Sequence, residues 1–421
     1  MKVLVHVIAL SLLFCSGCSY VPNTQPEPVK SESNANESNS TEPTGFDWPE
    51  RWGSFANQAR GVVYEDIRFI TDWHSGRIPN DYLLPPDEID EEQIQLLLGS
   101  SAQAVPAELT PELEVGGGFI IRPIEGEPAG SIGEYRQYLT FVSGERDDLT
   151  SALRIQRTWF TFAEPKGSKP RGLAILMPGM FATPRDIGDR AERGLLMRGW
   201  AVLRMLSPPS RMSEHTVYQV PLDRDRTAVM EQIAFDMDTR VAEAAYAVKA
   251  MADHVVRGSS SLPGAPRIII GMSGSAIALP TIVAYEPEAY DAAVLVAGGA
   301  NSFSIARRSS YREWIDAIGF DYTPRQPTTD ELATLDAEYL EYSKLDGYHT
   351  AEAMADIPAL MIHGATDTAV PADTGELLWE RLGKGERWVM PVGHELVFAA
   401  LPVRMVAMLD WLEEKTAEPS P

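Results

Sequence analysis

Cysteine is almost missing from this chain: there are two in 421 residues, Cys15 and Cys18. That excludes a disulfide framework and any thiolate cluster for zinc or iron–sulfur chemistry. Basic residues are in deficit, 36 Lys and Arg against 60 Asp and Glu, for a formal charge of −24. A balance this acidic repels phosphate backbones, so no nucleic acid is expected as a partner, and anionic membrane patches are poor docking surfaces. The histidines show no His-Glu-x-x-His spacing, so no metal is implied. Nucleotide-binding loops are missing too. The glycines at 116–118 are not followed by the Lys-Ser/Thr of a P-loop, and GGAN at 298–301 lacks the spacing of a dinucleotide fingerprint, so no cofactor is expected. No internal repeat is visible. What remains is ample for folding: 44% of residues are hydrophobic, and the length allows two or three domains around a sizeable core.

The amino end reads as an export signal, with Lys2 ahead of the apolar run Val3 to Phe14, which is too short to span a bilayer. The run ends in Cys15-Ser16-Gly17-Cys18-Ser19. This resembles the lipobox of bacterial lipoproteins, departing from it in having Cys15 where Leu is usual. The resemblance implies cleavage before Cys18 and its lipidation; ordinary signal cleavage without lipid is the alternative. Residues 1–17 are therefore expected to be a signal peptide, leaving one cysteine and no internal disulfide. Ser19 is not the Asp that retains many such proteins on an inner membrane, so the expected location is lipid-anchored to a bacterial membrane, the outer one, on its periplasmic or surface face.

Residues 21–45 hold four each of Pro, Ser, Asn and Glu and no aromatic, a composition that cannot offset ordering entropy by burial. Residues 18–45 are read as the lipidated cysteine and a flexible tether, with a reach of about 25–30 Å for a coil of that length. Composition then changes abruptly: seven aromatics fall within residues 46–73, from Phe46 to Trp73. They must pack on something, either as a segment wrapped over the main core or as a platform for sugars or lipid chains. Residues 86–99 look like an acid-capped helix, and the glycines at 116–118 like a joint.

From about residue 135 the pattern becomes regular. Residues 135–143 and 152–163 alternate like half-exposed strands. Short apolar runs then follow at Gly172–Met177, Trp200–Leu206, Arg267–Met272, Asp291–Ala297, Pro358–His363 and Arg387–Pro391. Helical stretches separate them. The clearest carries Met230, Ile233, Met237, Val241, Ala244, Val248 and Met251 along one face, and another starts at Thr183 as N-cap with Pro184 behind it. Strands taking turns with helices predict an α/β domain on a mostly parallel sheet.

At the end of the third run stands Gly271-Met272-Ser273-Gly274-Ser275, followed by AIALPTIVAY. A serine on a sharp turn between a buried strand and a helix needs small residues two before and two after it, because the backbone approaches itself closely there. The segment resembles the nucleophile elbow of the α/β-hydrolase family, with Ser275 in place of the usual glycine. Ser275 itself is a poor rival for the nucleophile, since Ile277 would fall where a small residue is needed.

A serine needs a base, and histidine suits that task near neutrality. The family's order is Ser, acid, His. Of the histidines after Ser273, His349 lies in a polar helical stretch and His363 ends a strand ahead of the acidic candidate, leaving His394, placed between the run RWVMP and a helix starting ELVFAAL. The resemblance makes His394 the base. The acid is expected in Ile362-His363-Gly364-Ala365-Thr366-Asp367, at Asp367, where it would fix the imidazole tautomer. No Asp or Glu lies between Asp291 and Glu313 to serve from the preceding strand. Pro178-Gly179-Met180-Phe181 resembles the family's His-Gly-x loop with Pro for His. By that match the N–H groups of Met180 and Gly274 form the oxyanion hole, and Phe181 lines the acyl pocket.

The resemblance covers residues 131–416. It implies an α/β-hydrolase domain with a mostly parallel central sheet, a helical cap insertion at about 300–357, and an N-terminal extension at 46–130. The expected activity is a serine hydrolase that cleaves carboxylic esters through an acyl-enzyme, acting on a small-molecule or lipid ester. A peptidase, thioesterase or acyltransferase on the same fold is the alternative, as is a tethered binding protein without turnover. Ser273 argues against the family's dehalogenases and epoxide hydrolases, which use Asp as nucleophile.

Overall fold

A computed structural model describes residues 68–69, 81–84, 114–116, 119–123, 133–146, 153–179, 185–206, 212, 214–315 and 317–417. All of them fall in one unit, Asp47–Pro421. The expected signal peptide, Cys18 and the tether lie outside these residues, as do the aromatic cluster at 46–73 apart from Arg68 and Phe69, the helix expected at 86–99, and Met180, Phe181, Thr183 and Pro184.

In chain order the first strands are β1 (Arg68–Phe69), β2 (Asp81–Leu84), β3 (Glu114–Gly116), β4 (Phe119–Pro123), β5 (Gly133–Arg146) and β6 (Leu153–Pro165). The alternating unit follows: β7 (Gly172–Met177), α1 (Arg185–Met197), β8 (Trp200–Met205), β9 (Thr216–Pro221), α2 (Thr227–Gly258), β10 (Arg267–Met272), α3 (Gly274–Tyr285) and β11 (Ala292–Val296). Next come α4 (Ser302–Arg308), α5 (Arg312–Ile315), β12 (Ile318–Thr323), α6 (Thr329–Tyr342) and α7 (Gly347–Thr350). The chain closes with β13 (Ala359–Gly364), α8 (Ala372–Arg381), β14 (Glu386–Met390) and α9 (His394–Lys415).

Twelve described strands form one sheet in the order β14-β13-β11-β10-β7-β8-β6-β5-β1-β4-β3, with β2 paired to β6. The pairs from β8 through β7, β10, β11 and β13 to β14 are parallel, and β6 meets β8 antiparallel. All six expected apolar runs are strands, within a residue at each end. The short strands β1, β4 and β3 add to the same sheet beyond β5, because β1 pairs with β5 antiparallel, β4 pairs with both, and β3 pairs with β4.

Both faces of the parallel part are buried except at its edge strand β14, and the side-chain alternation of a strand divides them cleanly. Ile269, Ile175, Leu295 and Met361 point to the face covered by α2, α3 and α8. Ile268, Ile270, Val294, Val296 and Ile362 point to the other, covered by Ile187, Ala191 and Leu195 of α1 and by Val397, Leu401, Met405 and Met408 of α9. This double burial is why the runs read as continuous apolar stretches.

A third apolar cluster lies away from the sheet. Tyr218 and Val220 of β9, Phe303 of α4, Leu335 and Tyr339 of α6, and Met230, Ile233, Ala234 and Met237 of α2 pack together. Here β9 pairs in parallel with β12, Ile318 opposite Thr216 through Thr323 opposite Pro221. The cap is thus assembled from the expected insertion together with residues 216–237. Helix α2 serves two cores: its first turns face the cap cluster, and Val241, Ala244, Val248 and Met251 face the sheet.

Two buried carboxylates fasten the cap to the sheet domain. Asp346 accepts the N–H groups of Asn301, Ser302 and Tyr348 and the hydroxyl of Tyr339, closing the two ends of the insertion on each other. Asp238 of α2 accepts from the Ser343 hydroxyl and from the N–H groups of Lys344 and Leu345 at 2.6–3.1 Å. Burial pushes the Asp238 carboxyl up to about 7, against the pull of those three donors.

Candidate active site

The parallel strands end on one edge, and the chemistry expected from the sequence gathers there. Ser273 follows β10 directly and caps α3, with φ 51° and ψ −117°. A non-glycine residue in that region is strained by about 1–3 kcal/mol and is held there only by its surroundings. The Ser273 N–H is fixed on the Val296 carbonyl at 2.8 Å, and its own carbonyl accepts from Ala276 and Ile277 at 2.8 and 3.1 Å. The need for a small residue two positions earlier is now explicit: a Cβ on Gly271 would stand 2.9 Å from the Ser275 carbonyl oxygen and 3.0 Å from Leu279.

Ser273 Oγ lies 3.0 Å from His394 Nε2, and His394 Nδ1 lies 2.7 Å from Asp367 Oδ2. The three residues come from widely separated stretches and form one hydrogen-bonded line. Asp367 and His394 are buried, whereas Ser273 keeps part of its surface open. Asp367 Oδ1 accepts the N–H groups of Ala369 and Val370, both at 2.9 Å, which sets the carboxylate plane. The acid loop is itself stitched to the histidine loop: Thr366 N–H donates to the Val392 carbonyl at 3.2 Å, and Ala365 N–H to that of Met390 at 2.7 Å.

Sequence reasoning did not single out two aromatic neighbours of the imidazole. Phe398, one turn along α9, and Tyr311, from the cap, both meet the His394 ring edge to face, at 5.1 and 5.6 Å between centroids. The Tyr311 hydroxyl donates to Glu395 Oε1 at 2.6 Å. Burial first, then this carboxylate, hold the tyrosine hydroxyl well above the ordinary phenol range. Burial would raise Glu395, but the Tyr311 hydrogen bond, then its own backbone N–H and the neighbouring His394, outweigh it, so its carboxyl sits below the usual range. The cap segment is anchored next door, where Ser310 N–H donates to the Thr368 carbonyl at 2.8 Å, directly after Asp367. The sequence signal for Tyr311 is its place in the insertion at about 300–357, which also holds Trp314, Phe320, Tyr339 and Tyr342.

The other two histidines after Ser273 have other surroundings. His349 pairs its Nε2 with the Leu340 carbonyl at 2.7 Å within the cap. His363, at the end of β13, is buried, and burial followed by the Arg387 charge pushes its imidazole below the ordinary value.

Gly274 and Ser275 open α3, and N–H groups at the first two positions of a helix have no intrahelical carbonyl to receive them. They are donors at a positive helix end beside Ser273. Opposite, Gly179 passes over the nucleophile: a Cβ there would stand 3.1 Å from Ser273 Cβ and 3.6 Å from its Oγ. The next two residues, Met180 and Phe181, are the expected donor and pocket wall that fall outside the described residues. The arrangement presents a partly exposed hydroxyl paired with a base, the base paired with a carboxylate, and N–H donors at hand. That is the equipment for nucleophilic attack on a carbonyl.

No family model matches this sequence, and no curated protein does. Solved structures overlap with it at low similarity. Est1E from Butyrivibrio proteoclasticus is 12% identical over 62% of this chain and 96% of that one, with a TM-score of 0.42. Acetyl xylan esterase 1 from Thermoanaerobacterium sp. JW/SL YS485 is 16% identical over 69% and 87%, with a TM-score of 0.44. The acylaminoacyl peptidase of Pyrococcus horikoshii is 11% identical over 73% of this chain and 56% of that one, at 0.42. Overlaps at this level assign no substrate and no residue. On its own sheet order, parallel connections and flanking helices, the chain has the α/β-hydrolase fold.

Proposed function

We propose that this protein is a serine hydrolase that cleaves carboxylic esters through an acyl-enzyme. The observation that carries the reading is the line Ser273 Oγ, His394 and Asp367, at 3.0 and 2.7 Å, with the serine on a strained turn at the end of a buried strand. Ser273 Oγ attacks the ester carbonyl while His394 Nε2 takes its proton. Asp367 receives the Nδ1–H and stabilises the imidazolium. Negative charge gathers on the carbonyl oxygen, where the N–H groups of Gly274 and Met180 meet it. As the tetrahedral intermediate collapses, the proton passes from His394 to the departing alcohol. Water, deprotonated by the same histidine, then releases the acid and restores Ser273.

The test is hydrolysis of p-nitrophenyl esters from acetyl to palmitoyl by the purified protein, with Ser273→Ala alongside and a fluorophosphonate probe for the activated serine. Turnover and labelling that vanish in the variant are the expected result, and the chain-length optimum reports what the cap admits. A folded protein with neither turnover nor labelling would overturn the reading in favour of a binding role. The same proposal takes the protein as exported and held to a membrane by a lipid on Cys18, on the strength of the apolar run and the small residues before that cysteine. Cys18→Ser should then move it from the membrane fraction to the soluble one.

A further inference from the structure

The serine that departs from the usual elbow pattern has a partner of its own. Ser275 is buried in the first turn of α3, and its hydroxyl donates a hydrogen bond to the main-chain carbonyl of Pro178. Pro178 and Gly179 are themselves buried, and Gly179 is the residue whose backbone crosses Ser273. A glycine at 275 would leave that buried carbonyl without this donor.

The loop's freedom makes the contact consequential. Proline fixes its own φ but not its ψ, and glycine tolerates nearly any conformation, so the backbone torsions by themselves allow the peptide plane joining Pro178 to Gly179 to face either way. The carbonyl and the following N–H of a trans peptide point opposite ways. Turned over, the plane would aim a carbonyl oxygen toward the nucleophile, where the reaction accumulates negative charge. Held by Ser275, that oxygen faces α3 instead.

Resting on the serine hydrolase reading, we infer that Ser275 is a positioning residue: its hydroxyl clamps the Pro178–Gly179 peptide so that the Pro178 carbonyl stays turned away from the oxyanion formed at Ser273. Ser275 touches neither the substrate nor the triad side chains in this role. Its effect belongs to the transition state and leaves ground-state binding alone.

The experiment measures kcat and KM for a p-nitrophenyl ester, with the inhibition constant of an alkyl boronic acid, whose tetrahedral adduct on Ser273 fills the oxyanion position. Wild type, Ser275→Ala, Ser275→Gly and Ser275→Thr are compared, with thermal unfolding of each. The expected result is a kcat about 10- to 100-fold lower in the alanine and glycine variants. Boronate affinity should fall by the same factor, with KM and the shape of the pH profile unchanged and most activity kept by the threonine variant. A folded alanine or glycine variant with wild-type kcat and boronate affinity would overturn the clamp and leave the hydrolase reading standing, as would a loss confined to KM. Wild-type protein without Ser273-dependent turnover would overturn both.

Discussion

Asp367 divides its carboxylate between His394 and its own loop: Oδ2 stands 2.7 Å from Nδ1 of the imidazole, while Oδ1 takes two backbone N–H groups at 2.9 Å. The loop holds the carboxylate still, and the carboxylate holds the ring. Asp367→Asn keeps the Oδ1 acceptor and replaces the other oxygen with a donor, which favours the wrong imidazole tautomer. Activity should fall by about 10³- to 10⁴-fold in kcat, with the fold retained. Ester turnover and the rate of fluorophosphonate labelling, read beside circular dichroism, check this.

The turn at Ser273 sets stability against activity. Both Ser273→Ala and Ser273→Gly should be inactive, but only glycine relaxes at φ 51° and ψ −117°. Ser273→Gly should therefore be more stable than Ser273→Ala by about 1 kcal/mol or more. Urea denaturation of the pair decides it, and equal midpoints would show that the turn stores no strain.

Tyr311 carries the cap's influence to the base, through its ring against His394 and its hydroxyl on Glu395. Tyr311→Ala should lower kcat by about 2- to 10-fold, the worth of an edge-to-face contact. Tyr311→Phe, which keeps the ring, should lose less. The ranking in steady-state kinetics is the check, and a larger loss in the phenylalanine variant would shift the weight to the Glu395 bond.

Asp238 makes stability depend on pH in an unusual direction. Its folded carboxyl is pushed up to about 7 by burial, while an unfolded aspartate titrates near 3.9. Between those values the folded state binds the extra proton, so this group's contribution to stability is full below about pH 4 and declines as pH rises through 7. Asp238→Asn should remove that part of the slope and lower stability overall by about 1–3 kcal/mol, since the amide offers a second donor to the Lys344 N–H. Melting temperatures of both proteins from pH 4 to 8 test the difference in slope.

Much of the architecture was legible because it is local. Strands buried on both faces announce themselves as unbroken apolar runs, so GLAILM and RIIIGM could be placed to within a residue. The turn at Gly271–Ser275 was legible for the same reason: its tight backbone admits only small residues at fixed offsets from Ser273. Asp367 and His394 were legible only through the resemblance to the α/β-hydrolase order of serine, acid and histidine, and the structure brings both to Ser273.

Where the sequence is silent, the determinants are partners distant in the chain. It specified the apolar strands of the main sheet, the helical stripe from Met230 to Met251 and the tight turn around Ser273, because periodicity and turn chemistry act over a few residues. Only the tertiary structure decided that this stripe serves two cores, that β9 and β12 pair about a hundred residues apart, and that Tyr311 leans on His394. The same holds for Ser275, which as a residue type was merely a deviation from a pattern. Its hydrogen bond reaches Pro178, nearly a hundred positions earlier, and that proximity exists only once the parallel sheet sets the ends of β7 and β10 side by side.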